Sequence, residues 1–177
     1  MDIGHEMKAS INGVEISLID CFVDKRGSIF TTYPIADTKY PDFVADKFSI
    51  SKYGTLRGLH GDENTGKLIF CAYGKIQLAI VDARQDSSTF KQVDVFVLET
   101  NEESNSIIAI WVPEGCLNGH LVLSDVAVFY YQWTHSYDLS KQLTIRFDDK
   151  ELQIPWLLDP VIMSDRDLTA KTMKEVF

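Results

Sequence analysis

Short runs in which apolar and polar residues alternate recur along most of the chain, and turn residues separate them. Residues 14–19, for example, carry an apolar side chain at every second position over most of their length. A period of two is typical of a β-strand with one buried face. We therefore predict strands over residues 14–19, 28–33, 48–51, 68–73, 76–81, 93–98, 107–112, 120–123, 127–133 and 143–147.

The segments between these runs predict the connections. Gly74-Lys75 alone separates two strands, which indicates a tight hairpin, and Arg26-Gly27 indicates a turn. Residues 165–176 alone predict a helix, with Ser164 or Asp165 as its N-cap. This pattern favours an all-β sandwich or barrel with a short C-terminal helix, formed by one domain over residues 1–177.

The composition fits a globular domain and limits its partners. Of the 177 residues, 45% are hydrophobic, which is enough apolar material for a core. The 17 Lys and Arg against 26 Asp and Glu give a net charge of -9, which argues against a nucleic-acid-binding face. A few arginines in a pocket would still suit a small anionic ligand. No apolar run approaches the ~20 residues that span a bilayer, so we expect no membrane partner.

The cysteines and the N-terminus indicate a location. Cys21, Cys71 and Cys116 are odd in number and widely spaced, which fits neither a disulfide framework nor a paired-cysteine zinc site. Residues 1–6 show no basic stretch followed by an apolar one, as a secretory signal would. We therefore expect a cytoplasmic protein with reduced thiols.

The segment from Gly54 to Gly74 carries the strongest motif of the chain. Its two end glycines and His60 are spaced as in the first motif of the cupin superfamily, a group of jelly-roll proteins. Asp62 replaces the second histidine of that motif, and Lys67 replaces its glutamate. The segment therefore resembles a cupin motif with an altered set of ligands.

A second cupin motif begins with Pro-Glu-Gly at residues 113–115, and Asn118 stands where it usually has its last metal ligand. A lysine such as Lys67 repels a divalent cation, and asparagine is a poor ligand for transition metals. The resemblance therefore implies a cupin without a metal site and without a cofactor, in which chemistry is organic acid–base work.

Further short segments narrow the resemblance. They are Asp-Lys-Arg-Gly at 24–27, Arg-Gly-Leu-His at 57–60, Gly-Lys-Leu at 66–68, Val-Asp-Ala-Arg at 81–84, Asp-Ser-Ser-Thr-Phe at 86–90, Leu-Ser-Asp at 123–125 and Ser-Asp-Arg-Asp at 164–167. In this order they resemble the dTDP-4-dehydrorhamnose 3,5-epimerase family, the RmlC-like cupins, over roughly residues 20–170. Together they are a specific signal, although each alone is weak.

The resemblance implies a reaction at a nucleotide-linked 4-keto sugar. The ketone at C4 acidifies the protons at C3 and C5, so that a base can remove one and leave an enolate. An acid on the other face then returns a proton and inverts the centre. Such a reaction needs a base that titrates near neutral pH, a cation beside the enolate and an opposed acid.

The resemblance also implies the residues. His60 matches the base, because histidine titrates in the useful range, and Asp167 matches the carboxylate that orients it. Lys67 matches the cation beside the enolate, and Tyr131 the opposing acid. The arginines that hold the nucleotide diphosphate correspond to Arg26 and Arg57.

Each assignment has a purely structural alternative. His60 would then be a core histidine, Lys67 a surface lysine, and Asp167 a carboxylate in the first turn of the helix. Tyr131 has a neighbour, Tyr130, on the opposite face of the same strand, so that only one of the two can face inward. Alignment with the family favours Tyr131.

Three positions depart from the family pattern and indicate a narrower branch. Asn118 replaces a histidine, and a histidine of the same strand parity follows at His120. Asp62 follows Gly61 where the family usually has an aromatic residue and glutamine. These features resemble enzymes that act on GDP-linked 4-keto-6-deoxyheptoses of capsular polysaccharides. We predict that Asn118, His120 and Asp62 bind substrate, and that His120 carries part of the acid–base or binding role.

The sequence thus predicts a cofactor-independent epimerase that inverts C3, C5 or both of a nucleotide-linked 4-keto-6-deoxy sugar, GDP-heptose or dTDP-hexose, in surface-polysaccharide biosynthesis. A nucleotide-sugar ketoisomerase and a catalytically silent sugar-binding cupin are the alternatives, and a metal-dependent dioxygenase is a weaker one. The resemblance also implies a homodimer in which N-terminal strands extend the neighbouring sheet and donate Arg26 to the neighbouring pocket. Exposed strand edges of a sandwich favour such covering.

Overall fold

Strands dominate the part of the chain that the computed structural model describes, which is residues 7–32 and 40–177. In these ranges they are β1 (Glu15–Asp24), β2 (Gly27–Phe30), β3 (Ala45–Lys52), β4 (Leu56–Gly61), β5 (Lys67–Asp82), β6 (Val93–Thr100), β7 (Ser106–Val112), β8 (Cys116–Val122), β9 (Val126–Trp133) and β10 (Leu143–Thr144). A 3-10 turn (Leu139–Lys141) and two short helices, α1 (Asp165–Leu168) and α2 (Met173–Val176), follow β9 and β10. The predicted all-β class is confirmed.

The longest strand, β5, belongs to two sheets and joins them. Its first half pairs with β7 and β9, and its second half, from Gly74 onward, pairs with β6 and β8. One layer therefore has the order β1-β7-β5-β9-β3, with β2 paired to β1, and the other has the order β10-β4-β8-β5-β6. Every named pair of strands is antiparallel.

Apolar side chains from both layers fill most of the space between them. Alternation along β7 brings Ile110 and Val112 into this core, and β5 contributes Ile69 from one half and Leu78 from the other. All four side chains are fully buried or nearly so. Each such burial stabilises the fold by about 1.5–3 kcal/mol relative to an exposed side chain.

Strand β3 reverses the usual polarity. Its inward positions carry Lys47, Ser49 and Ser51, while its outward residues Phe48 and Ile50 are 65% and 73% exposed. This edge of the sandwich therefore has a polar interior and an apolar outer surface. The polar interior is where the functional cavity lies.

The predicted hairpin at Gly74-Lys75 is wrong, because the two residues lie within the continuous strand β5. Gly74 has φ +86°, and a Cβ there would lie 2.3 Å from the carbonyl oxygen of Val126. The glycine is thus required for a close approach of two backbones where β5 passes from one sheet to the other, and not for a turn.

The predicted strands missed β4 and misplaced several boundaries. Most positions of β4 are buried on both faces, so the period of two is lost there. The strand predicted over 143–147 is two residues long. The strand predicted over 28–33 begins one residue earlier and ends at Phe30, and its predicted end, Tyr33, lies outside the described residues, as do residues 1–6.

The predicted helix 165–176 is two short helices. Ser164 caps α1 as predicted, because its Oγ accepts a hydrogen bond from the Asp167 backbone N–H at 3.2 Å. The chain then leaves the helical path, and Lys171 forms a bridge with Ile145. Thr172 begins α2 with a reciprocal capping box to Glu175.

In the described ranges no helix is long and apolar enough to cross a membrane. The cysteines are unpaired thiols, with Cys71 and Cys116 buried and Cys21 half-buried.

Gly58 on β4 gives a stability test. A Cβ at Gly58 would lie 2.4 Å from the Cα of Gly119 and 2.9 Å from the carbonyl oxygen of Asn118, at a φ of +131°. We expect Gly58→Ala to cost more than about 4 kcal/mol in the free energy of unfolding, since both backbones would have to move. The matched control is Gly27→Ala, where φ is +115° but the nearest contact of a Cβ is 3.7 Å away. Urea unfolding should show a cost of about 1–3 kcal/mol there, and equal costs for the two variants would contradict the close-approach argument.

Candidate active site

A cavity of about 300 Å³ opens between the two layers beside β3, β4, β8 and β9. Most of the charged side chains on its wall are cationic, although the whole chain carries a net charge of -9. The wall is formed by Lys47, Ser49, Arg57, His60, Lys67, Asn118, His120, Phe129, Tyr131, Trp133, Tyr137, Gln142, Ser164, Arg166 and Asp167.

His60 and Asp167 form the central pair of this cavity. His60 lies on β4, opposite Asn118 of β8, and Asp167 lies on α1. His60 Nε2 and Asp167 Oδ1 are 2.5 Å apart. The side chain of Asp167 is 3% exposed and that of His60 is 31% exposed, so the imidazole has access to the cavity while the carboxylate lies behind it.

The carboxyl of Asp167 is held in its ionised form. Burial opposes ionisation, but the hydrogen bond and the charge of His60, together with the N–H of Gly58, lower the pKa of Asp167 below its usual value. An ionised carboxylate on one ring nitrogen fixes the orientation and tautomer of the imidazole. His60 is thereby prepared to take a proton on its other nitrogen.

Lys67 is a buried ammonium beside this pair. Its Nζ donates to the backbone carbonyl of His60 at 3.1 Å and to Oδ1 of Asn118 at 2.8 Å. Both partners are neutral, and burial lowers the pKa of Lys67 to about 8. Asn118 thus orients Lys67 instead of holding a metal, and no group of three or more His, Cys, Asp or Glu side chains within the described ranges is arranged to hold one.

The two adjacent tyrosines face opposite sides of the sheet. Tyr131 lines the cavity between Phe129 and Trp133, with ring centroids 5.1 Å and 5.8 Å away. Burial raises the pKa of Tyr131, so its hydroxyl keeps its proton. Tyr130 lies on the outer face and donates to Asp46 at 2.6 Å, so it is not available to the cavity.

His120 lies at the bottom of the cavity and is 3% exposed. Its ring stacks on Phe129 with centroids 4.0 Å apart, and its Nε2 has no hydrogen-bond partner among the described residues. Burial, with smaller effects from the charges of Arg57 and His60, lowers the pKa of His120 to about 3. The lowered pKa favours a neutral ring near pH 7, which can donate or accept a hydrogen bond. The acid–base part of its predicted role stays a prediction.

Arg57 lines the cavity as predicted, and its Nε donates to Ser51 at 3.1 Å. Two other predicted substrate-binding residues do not line it. The carboxylate of Asp62 accepts hydrogen bonds from Asn64, Thr65 and Gln142, and holds the loop after β4.

Asp62 lies outside this wall and its carboxylate is engaged by the loop, so its role in substrate binding stays a prediction. Arg26 lies on the β1–β2 turn, where its side chain is 80% exposed and pairs with Asp24 at 2.6 Å. It is outside the cavity of its own chain.

Several residues of the wall were not predicted from the sequence. Trp133 shares the inward parity of Tyr131 on β9, so strand alternation could have identified it. Lys47 and Ser49 are the inward polar positions of β3, where the apolar residues face outward. Gln142 and Arg166 come from segments after the strands and carried no signal of their own.

Comparison with known proteins shows which family the chain resembles. The profile of the dTDP-4-dehydrorhamnose 3,5-epimerase family matches residues 8–175. The dTDP-4-dehydrorhamnose 3,5-epimerase of Shigella flexneri is 32% identical over 174 residues, which cover 93% of both chains. That of Salmonella typhimurium is 35% identical over 160 residues, covering 85% of this chain and 84% of the relative.

A solved structure is similar over the same extent. The dTDP-6-deoxy-D-glucose-3,5-epimerase of Legionella pneumophila, in complex with dTDP-4-keto-L-rhamnose, superposes with a TM-score of 0.86 at 29% identity. The match covers 97% of this chain and 93% of that one. It confirms the predicted RmlC-like cupin fold.

His120 generates a prediction about pH. An unfolded chain protonates this imidazole near pH 6.5, whereas the folded chain keeps it neutral down to a pKa of about 3. Stability therefore falls as the pH drops through this window, because only the unfolded state gains the proton. We expect the free energy of unfolding to fall by about 2 kcal/mol less in His120→Phe than in the wild type when the pH drops from about 7 to about 4.5. Urea unfolding at both pH values measures this difference.

The matched control is His135→Phe, since His135 is exposed. It should follow the wild type at both pH values to within about 0.5 kcal/mol. If His120→Phe also follows the wild type, then His120 takes up a proton in the folded protein and can act as an acid.

Proposed function

The chain belongs to the dTDP-4-dehydrorhamnose 3,5-epimerase family, and we propose that it inverts C3, C5 or both of a dTDP-linked 4-keto-6-deoxyhexose. It is an epimerase acting on a nucleotide sugar, and the reaction belongs to polysaccharide biosynthesis. The observation that carries the proposal is the His60–Asp167 pair in a cavity that Lys67 and Tyr131 also line. These four side chains supply the reaction with a base, its orienting carboxylate, a cation and an acid.

The first step is removal of a proton next to the ketone. The imidazole of His60 takes the proton from C3 or C5, and the C–H electron pair moves into a new C=C bond. The carbonyl oxygen at C4 receives the negative charge and becomes an enolate. Asp167 stabilises the imidazolium that forms, since its carboxylate is ionised and 2.5 Å away.

The enolate needs positive charge close to its oxygen, and Lys67 supplies it. The ammonium of Lys67 is fixed by the carbonyl of His60 and the amide of Asn118, so little reorganisation is needed when charge develops. Because both partners are neutral, the ammonium keeps its charge for the ligand. In the buried surroundings of Lys67, this interaction is much stronger than it is in water.

The second step returns a proton from the other side of the sugar. Tyr131 is the acid, because its raised pKa keeps the phenol protonated and its ring lines the cavity on β9, away from β4. The C=C electron pair takes the phenol proton, the ketone forms again, and the configuration is inverted. The phenolate and the imidazolium exchange protons with water before the next turnover.

The positive wall of the cavity suits the rest of the substrate. Arg57 and Arg166 join the lysines there, and Asp167 is the one carboxylate that the described residues contribute to the wall. A diphosphate linked to a sugar carries two negative charges, and guanidinium groups hold its oxygens in pairs. His120 remains a neutral hydrogen-bonding group at the bottom of the cavity.

The nucleotide is dTDP and the sugar a hexose in this proposal. Asn118 and His120 had indicated the branch that acts on GDP-linked heptoses, but the comparisons do not support that branch. The relatives and the solved structure that match the chain are all named for dTDP-linked hexose substrates. We also propose one domain, which the match over residues 8–175 supports, and a cytoplasmic location, which the free cysteines support.

We also propose that the chain forms a homodimer. The outer face of the first sheet carries a groove of about 710 Å³ along β1 and β2. Two of its lining residues, Phe22 and Ile29, are 65% and 69% exposed, and Phe48 and Ile50 are exposed on β3 at the opposite edge of the same sheet. Exposed apolar surface of this kind favours an interface. In the dimer, Arg26 reaches the cavity of the neighbouring chain, since it lies outside its own.

Solvent deuterium incorporation tests the reaction. The purified chain is incubated in heavy water with dTDP-linked 4-keto-6-deoxyhexose, and with the GDP-linked hexose and heptose in parallel. We expect label at C3, C5 or both of the dTDP sugar, because each enolate recovers its proton from solvent. Mass spectrometry and proton NMR locate the label, and a ketoisomerase would move the carbonyl instead.

His60→Asn is the control for this experiment. It should lose nearly all exchange, by about 10³-fold or more, because the base is gone, while the melting temperature stays close to that of the wild type. No exchange by the wild type with any of the three sugars would overturn the proposed function. Exchange with only a GDP-linked sugar would overturn the choice of nucleotide.

Mixed dimers test the position of Arg26. Arg26→Gln and His60→Asn are each expected to be nearly inactive as homodimers. Co-expression forms heterodimers in which one site combines His60 of one chain with Arg26 of the other. About a quarter of the wild-type exchange rate per site should return, since about half of the dimers are mixed and each has one intact site. No recovery in isolated heterodimers would mean that Arg26 acts within its own chain, and an active Arg26→Gln homodimer would mean that Arg26 has no role.

A further inference from the structure

Lys47 lines the cavity but takes no part in the two proposed proton transfers. It lies at an inward position of β3, and its cross-strand partner on β9 is Tyr131. Side chains of such antiparallel partners lie about 4.5–5.5 Å apart at Cβ. Lys47 therefore lies at the end of the cavity where the sugar ring is protonated in the proposed reaction, and not at the end formed by Arg57 and Ser51.

The ammonium of Lys47 is held by aromatic rings. Its Nζ lies 3.2 Å from the centroid of the Trp133 ring and 4.8 Å from that of Tyr137. Over the described ranges, no carboxylate lies within ion-pair distance of it. A carboxylate partner would neutralise the ammonium, whereas an aromatic face stabilises it and leaves its net charge available to a ligand.

Lys67 lies at the same aromatic residue. Its Nζ is 5.5 Å from the centroid of the Trp133 ring. Both ammonium groups thus lie near the indole of Trp133. Like charges repel, and the packing of apolar groups does not require the two to be close. The nearest compensating carboxylate is Asp62, whose oxygens are engaged by the loop after β4.

Trp133 itself also indicates a ligand here. It is 5% exposed and lines the cavity, and its indole N–H has no hydrogen-bond partner among the described residues. A buried unpartnered N–H costs about 1–3 kcal/mol. An oxygen-rich ligand would provide the missing acceptor, and two cations beside it would favour an oxygen that carries negative charge.

We propose that Lys47 and Lys67 form a two-ammonium subsite, built on Trp133, that receives the C4 oxygen of the substrate. The inference rests on the proposed epimerisation, and it adds Lys47 as a second group that stabilises the enolate. Proton removal by His60 places the electron pair on this oxygen, and both ammonium groups then contact the charge. No oxidant or co-reactant is involved, because the charge disappears when Tyr131 returns a proton.

The pKa of Lys67 provides a measurement that depends on the charge of Lys47. Burial is the main cause of its lowered pKa, the charge of Lys47 lowers it further, and the charges of Asp62 and Cys116 oppose the shift. Exchange should therefore fall above about pH 8 in the wild type, as Lys67 loses its proton. In Lys47→Gln the pKa of Lys67 rises, and this fall should move to higher pH. A merely structural role for Lys47 would not move it.

The experiment compares Lys47→Gln, Lys47→Arg and the wild type by deuterium exchange on the dTDP-linked hexose, and by the affinity for dTDP, which lacks the sugar. Lys47→Gln should slow exchange by at least about tenfold, somewhat less than the ~10²–10³ cost of removing a direct oxyanion donor. Its affinity for dTDP should not change. Lys47→Arg should recover most of the rate, because a guanidinium also stacks on indole.

Lys52→Gln is the matched control, since Lys52 lies on the same strand and is exposed. It should exchange at the wild-type rate, and circular dichroism should show the same melting temperature for all variants. An unchanged rate in Lys47→Gln, with an active wild type, would overturn this inference and leave the proposed function intact. A loss of dTDP affinity equal to the loss of rate would assign Lys47 to the diphosphate instead. A wild type without exchange would overturn both.

Discussion

The hydrogen bond between His60 and Asp167 is the contact on which the rest of the cavity depends. It joins β4 to the C-terminal segment across 107 positions of the sequence. A buried carboxylate is costly unless hydrogen bonds satisfy it, and here the imidazole and the N–H of Gly58 do so. Docking of the C-terminal segment and formation of the catalytic pair are therefore one event.

The cost of burying a charge also applies to the cations of the cavity. Their contacts stabilise them without neutralising their charge. Lys67 has neutral partners in a carbonyl and an amide, and Lys47 has aromatic faces. Asp62, the carboxylate nearest to both, instead accepts bonds from its own loop and from Gln142. The positive potential left in the cavity is what a diphosphate and an enolate require. The acidic surface of the chain does not cancel it, because dissolved salt at physiological ionic strength screens exposed charges over about 8 Å.

Resemblance to the family predicted His60, Lys67 and Asp167. Strand alternation showed only that one of Tyr130 and Tyr131 faces inward, and alignment with the family favoured Tyr131. The rest depends on packing between segments that carry no motif. Gly74 shows why the sequence misleads, since a positive φ serves a turn and a close backbone approach equally well. Lys47 could be recognised only once β3 was seen with its polar side inward.

Depth in the cavity, and not residue type, decides which histidine can move a proton. His60 and His120 both line the cavity, and both belong to strands whose backbones pair directly. His120 is buried against Phe129 without a charged acceptor, so its neutral form is strongly favoured. His60 keeps a partly exposed ring and an ionised carboxylate partner. His120 lies two positions after Asn118, so its side chain points to the same side of the strand. At that position, however, the side chain is shielded from solvent and has no carboxylate partner in the described part of the chain. The base of the proposed reaction is therefore fixed by Asp167 as much as by the histidine itself.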